Sequence, residues 1–485
     1  ICPNKDVCKA KTINTSAPAN VCKTGYNDTV TLPACVTCID GYGTSQYDPF
    51  VCLKCSSSKM SLITPLFFYL LAIYSAGQQR KPMAAIQNIM ISFVTISTAS
   101  LSVLWESSSV VQLETYIQLY INTLIDVGSV PMYRPSSSCL LPSCDEFECA
   151  ARELGFILGL ALLYFPSAEI LHRVAALRGS HFGPQGDCRT RLMVQAAVAS
   201  NYFMPTLIGA VLKLVPCVVI QNKVDGFETR SAWFASETCN DEERSLWVVL
   251  SIFGAILCIA FGPVYHCCLI ARAQQWSEDE RQDALGFTLS IYSSRSRGGG
   301  FAKYWDAVII LRKMLFISVS ILFPLSYNAS GFSVATIGVM VFYLVVHMYV
   351  RPYRKGNDMG LNRLEDLSQI TSLVSLLLSL SVRDLIHPSL LSTATNLTII
   401  AFINSATFMV IACRFFIVAL QDNSIKSVVL KLRGKRGSDL IDQLNKEVDT
   451  GRPNQPLLSQ TWDPEPDQER QRKSEDPVAV FSFFA

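Results

Sequence analysis

The stretch "YLVVHMYVRPYRKGNDMGLNRLEDLSQITSLVSLLLSL", residues 343–380, decides how this chain is read. An apolar run breaks at Arg351-Pro352-Tyr353-Arg354-Lys355, passes through a short polar turn, and becomes apolar again. Two folds accommodate that pattern. One is a surface turn between two core helices. The other is the cytoplasmic bend of a hairpin that crosses a membrane twice.

Composition favours the second. Of 485 residues, 50% are hydrophobic and only 16% are charged, where a soluble domain carries about a quarter charged residues. The deficit points to lipid as the main solvent. The net charge of +2 gives no ground for nucleic-acid binding. Residue 1 is Ile rather than Met, so a fragment or a mature product is expected, and no signal peptide is visible.

A spanning helix needs roughly 17–25 mostly apolar residues. Candidates are Met60–Ala76, Met83–Trp105, Leu154–Leu171, Leu192–Ile220, Leu246–Ala271, Ala307–Tyr327, Phe332–Val350, Leu367–Val382 and Thr398–Leu420. Pro166 and Glu169 interrupt the third. Nine such segments do not make a globular core. The expected fold is an all-α polytopic membrane protein of about nine transmembrane helices, with a small N-terminal disulfide-rich ectodomain. Its parts are a Cys-rich module at 1–59, the helical domain at 60–420, a basic amphipathic juxtamembrane segment at 421–448 and a disordered cytoplasmic tail at 449–485.

Arg and Lys favour cytoplasmic loops. With the N-terminus outside, each inner loop is basic: Arg80 and Lys81; Arg173, Arg178, Arg189 and Arg191; Arg272, Arg281, Arg295, Arg297 and Lys303; Arg351, Arg354, Lys355 and Arg363. Asn-X-Ser/Thr sequons at Asn14, Asn27, Asn328 and Asn396 all fall outside in the same arrangement, and are the glycosylation candidates. The expected location is a plasma membrane with the C-terminus in the cytosol. The opening stretch is then an inner bend. Pro352 stops one helix because it lacks an N–H and restricts the residue before it.

Cys2, Cys8, Cys22, Cys35, Cys38, Cys52 and Cys55 precede the first span. Paired Cys-x-x-Cys spacing also suits a zinc ribbon, but two sequons and an exterior location favour disulfides. So small a module buries too little apolar surface to hold itself together without crosslinks. Cys139, Cys144, Cys149 and Cys239 sit in further outer loops, and Cys217 near the outer end of the fourth span. A Cys217–Cys239 bridge is one pairing open to them; sequence does not settle connectivity.

Four stretches carry a resemblance. They are "CVTCIDGYG...CLKC" before the first span and "LPSCDEFECAARELGFILGLAL" entering the third. The third stretch is "LIGAVLKLVPCVVIQNKVDG...CNDEERSLWVVLSIFGAILCIAFGPVY". The fourth is "GFTLSIYSSRSRGGGFAKYWDAVIILRKMLFISVSILF" followed by "RPYRKGNDMGLNRLEDLSQ". In this order they resemble the multi-pass surface proteins of algae, oomycetes and other protists. There, ephrin-receptor-like cysteine-rich repeats precede a TRP-like (polycystin-related) membrane region. The resemblance spans about residues 20–420. It implies a cation channel, and a linker at "FAKYWDAVIILRKMLF" that couples gating to the pore.

No catalytic set stands out. The five histidines form no His-Glu-x-x-His, and there is no Gly-x-Ser-x-Gly elbow. No enzyme, cofactor or metal is expected; His266 with Cys267 and Cys268 reads as a membrane-interface cluster ahead of a metal or palmitoylation site. Polar groups within the spans are more telling. Ser368, Thr371, Ser372, Ser375 and Ser379 recur at helical spacing on one face. Packing against a neighbour is the plainer reading and a pore-lining stripe the sharper one. Lys213, placed inside the fourth span, is the leading intramembrane charge, since a charge in hydrocarbon costs roughly 2.5–3.5 kcal/mol. Glu169 and Arg414 lie nearer span ends.

Lys303, Arg312, Lys313, Arg351, Arg354 and Lys355 are lipid or gating candidates, positioned to meet anionic inner-leaflet lipids. Partners expected are membrane lipids, a second copy in a homo-oligomer and an extracellular ligand. Three functions compete: a TRP-like cation channel, a surface receptor or adhesion protein, and a lipid or solute transporter.

Overall fold

The structure is a computed structural model. It describes residues 38–39, 41–44, 52–54, most of 85–97, 146–177, 188–222, 226–233, 239, 242–273, 275–276, 299–324, 327–353, 360–382 and 393–421. The first expected span, the tail segments, Cys2, Cys8, Cys22, Cys35, Cys55, Cys139, Cys144, Asn14, Asn27, Arg354 and Lys355 lie outside them. Cys149 lies within a helix, with its side chain outside the description.

Helices dominate the described residues. They are α1 (Glu146–Leu177), α2 (Cys188–Leu212), α3 (Glu242–Ile259), α4 (Tyr265–Ala273), α5 (Trp305–Leu322), α6 (Ala329–Val350), α7 (Leu361–Val382) and α8 (Thr393–Gln421). Helical residues between 85 and 97 fall in the second expected span. Two antiparallel hairpins correct the all-α expectation: β1 (Tyr42–Thr44) with β2 (Cys52–Lys54), and β3 (Cys217–Asn222) with β4 (Gly226–Ser231).

The β3–β4 hairpin replaces the last turns of the fourth expected span. α2 ends at Leu212 instead of running to Ile220. Pro216 supplies no amide hydrogen and disfavours helix in the residue before it. Val218, Val219 and Ile220 are β-branched and fit a pleated strand. Cys217 bonds to Cys239, the bridge weighed from the sequence, and ties the strand to the chain just after β4. Trp233 then inserts between the hairpin and α5, its indole N–H donating to the Ile321 carbonyl at 3.3 Å. It joins Leu212, Val218, Met314 and Ile321 in one apolar cluster.

α3 and α4 form one continuous rod broken by a π-helical turn at Ala260–Val264. Pro263 lies inside that turn, and its missing N–H removes one bond of the α ladder. Gly262 there faces Met314, Ile310 and Met204, where even a methyl group would touch at 3.4–3.6 Å. The wide turn thus lets α5 approach closely.

α6 begins at Asn328, whose side-chain oxygen accepts from the Gly331 amide at 3.0 Å, a standard N-cap. It ends at Arg351, which takes a left-handed conformation (φ +46°) before Pro352. Gly360 (φ +74°) opens α7. The bend read from the opening stretch therefore has a left-handed residue near each end.

Burial accords with lipid as the main solvent. α2 and α5 are central: each is buried on most of its surface, and each packs against several other helices. α7 buries its hydroxyl face together with Leu364, Leu376 and Leu380. Ser368, Thr371, Ser372, Ser375 and Ser379 are buried while Leu367, Ile370, Val374 and Leu377 face outward. α3 exposes Val249, Phe253 and Ile256, and α1 exposes Leu162, Leu163 and Ile170. Water would oppose so much outward apolar surface, and lipid accepts it. Four helices are long and apolar enough to cross a membrane: Leu154–Val174, Ser245–Ala273, Ala329–Val350 and Thr398–Val418. Three of the other expected spans, in α2, α5 and α7, carry more polar side chains and turn many of them inward.

A buried acid at the inner bend as the candidate functional site

Glu365 is 1% exposed, one turn into α7. Burying a carboxylate is costly unless its oxygens are occupied, and here both are. Arg312 of α5 donates to Oε1 at 3.2 Å, and Gln369, one turn on, donates to the same oxygen at 3.1 Å. The Tyr353 hydroxyl donates to Oε2 at 2.7 Å and the Trp305 indole at 3.4 Å. His347 Nε2 stands 3.6 Å from Oε2, beyond hydrogen-bond length but within reach of its charge.

Asp366 extends the site. Its Oδ1 lies 2.8 Å from His347 Nδ1 and its Oδ2 pairs with Arg351. Asn362 braces the bend by donating to the Tyr353 carbonyl at 3.0 Å and accepting from its amide at 3.3 Å. The His347 ring packs on Trp305 and Tyr353, with centroids 5.4 and 6.3 Å away. Start of α5, end of α6, the bend and start of α7 thus meet on two adjacent carboxylates.

Burial pushes the Glu365 carboxyl up, but His347, Arg312, Tyr353 and Trp305 together outweigh it and hold it below its ordinary value. Asp366 is likewise lowered: the hydrogen bonds and charges of His347 and Arg351 overcome its partial burial. Burial, then the adjacent carboxylate, drives the Tyr353 hydroxyl well above its ordinary range, so it remains a donor. Two guanidiniums balance two carboxylates, and moving α5 against α7 requires opening a buried ion pair. The site can act as a latch.

From Glu365 a polar column rises along α7. Ser368 and Ser372 bond back to backbone carbonyls one turn earlier, and Ser379 does the same to Ser375. Ser372 lies 3.4 Å from Ser97, Thr371 is 2.9 Å from Thr407, and Asn404 donates to Ser375 at 2.7 Å. The stripe therefore packs against α8 and the helical residues at 92–97. Asn404 also donates to the Ile400 carbonyl, which fixes its amide orientation and leaves its buried oxygen without a partner.

Several expected site residues take other places. Arg312 and Lys313 were expected at the lipid headgroups, yet both are 4% exposed and point inward, Arg312 to Glu365 and Lys313 to Asn201. Polar partners on α2 and α7 draw them into the bundle. Lys303 lies over the Tyr304 ring at 5.0 Å. Arg351 pairs with Asp366. Lys213 is buried but not mid-helix: it occupies the turn after α2, its ammonium 5.5 Å from the Trp233 ring centre. Asn396 is 2% exposed within α8, which leaves no room for a glycan there, whereas Asn328 is exposed. His266 turns inward to the Ala197 carbonyl and Ser200 hydroxyl, both at 2.8 Å. Glu169 pairs with Arg173 and Arg191, and Arg414 is exposed. Cys38 bonds to Cys52.

Glu365, Asp366, His347 and Tyr353 escaped the sequence reading. Their signal was visible: two acids beside a cluster of cations, one turn ahead of an apolar run. No protein-family model, curated protein or solved structure matches this chain. What the fold itself defines is a helical membrane protein.

Proposed function

We propose that this protein is a multi-pass plasma-membrane channel that conducts cations, with a cysteine-rich front outside and its tail in the cytosol. The observation that carries the reading is the polar column on α7, with Glu365 at one end, inside a bundle whose outer faces are apolar. Polar side chains within membrane helices are expensive and gather at ion and substrate paths. The Glu365 carboxylate closes the inner end of that column, its charge matched by Arg312, so opening the pair would expose a negative group to the path.

Cysteine chemistry supports the orientation. In the nine-span arrangement both described disulfides, Cys38–Cys52 and Cys217–Cys239, fall on the exterior side. Of the described free thiols, Cys188, Cys267, Cys268 and Cys413 fall towards the interior, and Cys258 lies midway along a span. Disulfides persist outside the cytosol and thiols inside it. Anionic inner-leaflet lipids, a homo-oligomeric partner and an extracellular ligand on the cysteine-rich front complete the proposal.

A second reading has its own observation. Thr371, Ser372 and Ser375 are each engaged with a neighbouring helix, which suits a sealed bundle in a receptor. Flux of K⁺ and Na⁺ through purified protein in liposomes, under voltage, tension and varied lipid, separates the two. Conduction altered by Glu365→Gln supports the channel. Silence under all three conditions transfers the reading to the receptor.

A further inference from the structure

The amide groups of Asn201 and Asn88 form a short polar chain that starts at a buried cation. Lys313 lies eight residues past Trp305, about 12 Å along α5 from its inner end. Its ammonium donates to Asn201 Oδ1 at 3.1 Å, and Asn201 Nδ2 donates to Asn88 Oδ1 at 3.0 Å. The direction of this chain is not arbitrary. An ammonium only donates, so Asn201 must present its oxygen to it. Its nitrogen then faces Asn88, which must present its oxygen in turn.

Each amide oxygen of the cluster accepts one of these bonds, while more donors than acceptors are left over. Two N–H bonds of Lys313, one of Asn201 and both of Asn88 have no acceptor among the described residues. Direct charge contact is missing as well. No carboxylate reaches ion-pair distance of Lys313 among the described residues. The acids that act on it from further away are Asp306, two turns earlier on α5, and Glu365, already held by Arg312. Asn88 and Asn201 are half-buried, so the far end of the cluster is not sealed.

We infer that Lys313, Asn201 and Asn88 form an anion-binding site inside the bundle. Three helical segments, at 85–97, α2 and α5, would close around it. A small inorganic anion such as chloride fits the depth, since a lipid phosphate sits at the interface and not about 12 Å along the helix. Water would accept the spare N–H bonds but would bring no opposite charge into contact with the ammonium, which Asp306 and Glu365 reach only from a distance. The site is distinct from the Glu365 latch and does not depend on the channel reading.

The test uses the full purified chain in nanodiscs of neutral lipid. Its thermal midpoint is compared in sodium chloride and in sodium gluconate at equal ionic strength. Chloride is expected to raise the midpoint saturably, by roughly 1–2 °C at tenfold excess over Kd. Lys313→Met should abolish the difference and be no less stable than wild type in gluconate. Asn88→Ala should weaken the response, and Arg414→Gln, which alters an exposed cation, should preserve it. Equal wild-type midpoints in the two salts overturn the inference without recourse to any variant. So does a stabilisation produced only by anionic lipid, which would place a phosphate there instead.

Discussion

Arg312 and Glu365 stand 53 residues apart in the chain and meet at 3.2 Å in a site that excludes water from both. The contact joins the central helix α5 to the helix that carries the polar column. Removing one partner of a buried pair strands the other. Glu365→Gln should therefore cost about 3–5 kcal/mol, read as a lower unfolding midpoint in detergent. The paired replacement Arg312→Leu with Glu365→Leu should recover much of that loss. A double-mutant cycle showing no coupling would remove the latch.

Acid should loosen the same site. Glu365 and Asp366 are both held below their ordinary values of 4.5 and 3.8. Their contribution is thus fully present above those values and declines as pH falls through the lower folded ones. The unfolding midpoint should fall below about pH 4.5, and Asp366→Asn should flatten that fall. Tyr353 carries the opposite sign. Its contribution is present below its ordinary value of 10.0 and disappears only at more alkaline pH. Phenolate absorbance of the wild type minus Tyr353→Phe should show no ionisation near pH 10 while the fold persists.

The Cys217–Cys239 bridge closes a loop with a sequence separation of 22. Loop-closure entropy gives such a crosslink about 3 kcal/mol. Reduction, or Cys217→Ser with Cys239→Ser, should lower the midpoint accordingly. Because Trp233 and Lys213 lie beside the hairpin, quenching of tryptophan fluorescence should rise at the same time. An unchanged midpoint after verified reduction would mean that the hairpin is held by its apolar contacts alone.

Glycan mapping separates two sequons that look alike in sequence. Asn396→Gln should leave gel mobility unchanged before and after deglycosylation, because Asn396 is buried in α8. Asn328→Ala should cost about 1 kcal/mol through loss of the α6 N-cap, whether or not a sugar is attached. A deglycosylation shift that depends on Asn396 would show that the first turns of α8 open.

The sequence by itself determined the solvent. A low charge content and long apolar runs mark helices suited to lipid, and the placement of the four spanning-length helices, α1, α3 with α4, α6 and α8, followed from run length alone. It also marked the hydroxyl stripe of α7, because helical spacing is a local property. Element ends set by proline, such as the stop after Val350, were legible for the same reason. The end of α2 was not, because an apolar β-branched run such as "CVVIQN" serves helix in lipid and strand in a hairpin equally well. A disulfide partner and a tryptophan beyond the strands chose between them.

Tertiary structure alone decided where each charge points. Arg312 and Lys313 are adjacent cations whose sequence context suits a lipid headgroup, yet one meets Glu365 and the other Asn201. Which neighbour a side chain finds depends on how helices far apart in the chain pack together. Electrostatic preference between a headgroup and a buried carboxylate is a property of that packing, and no local pattern encodes it.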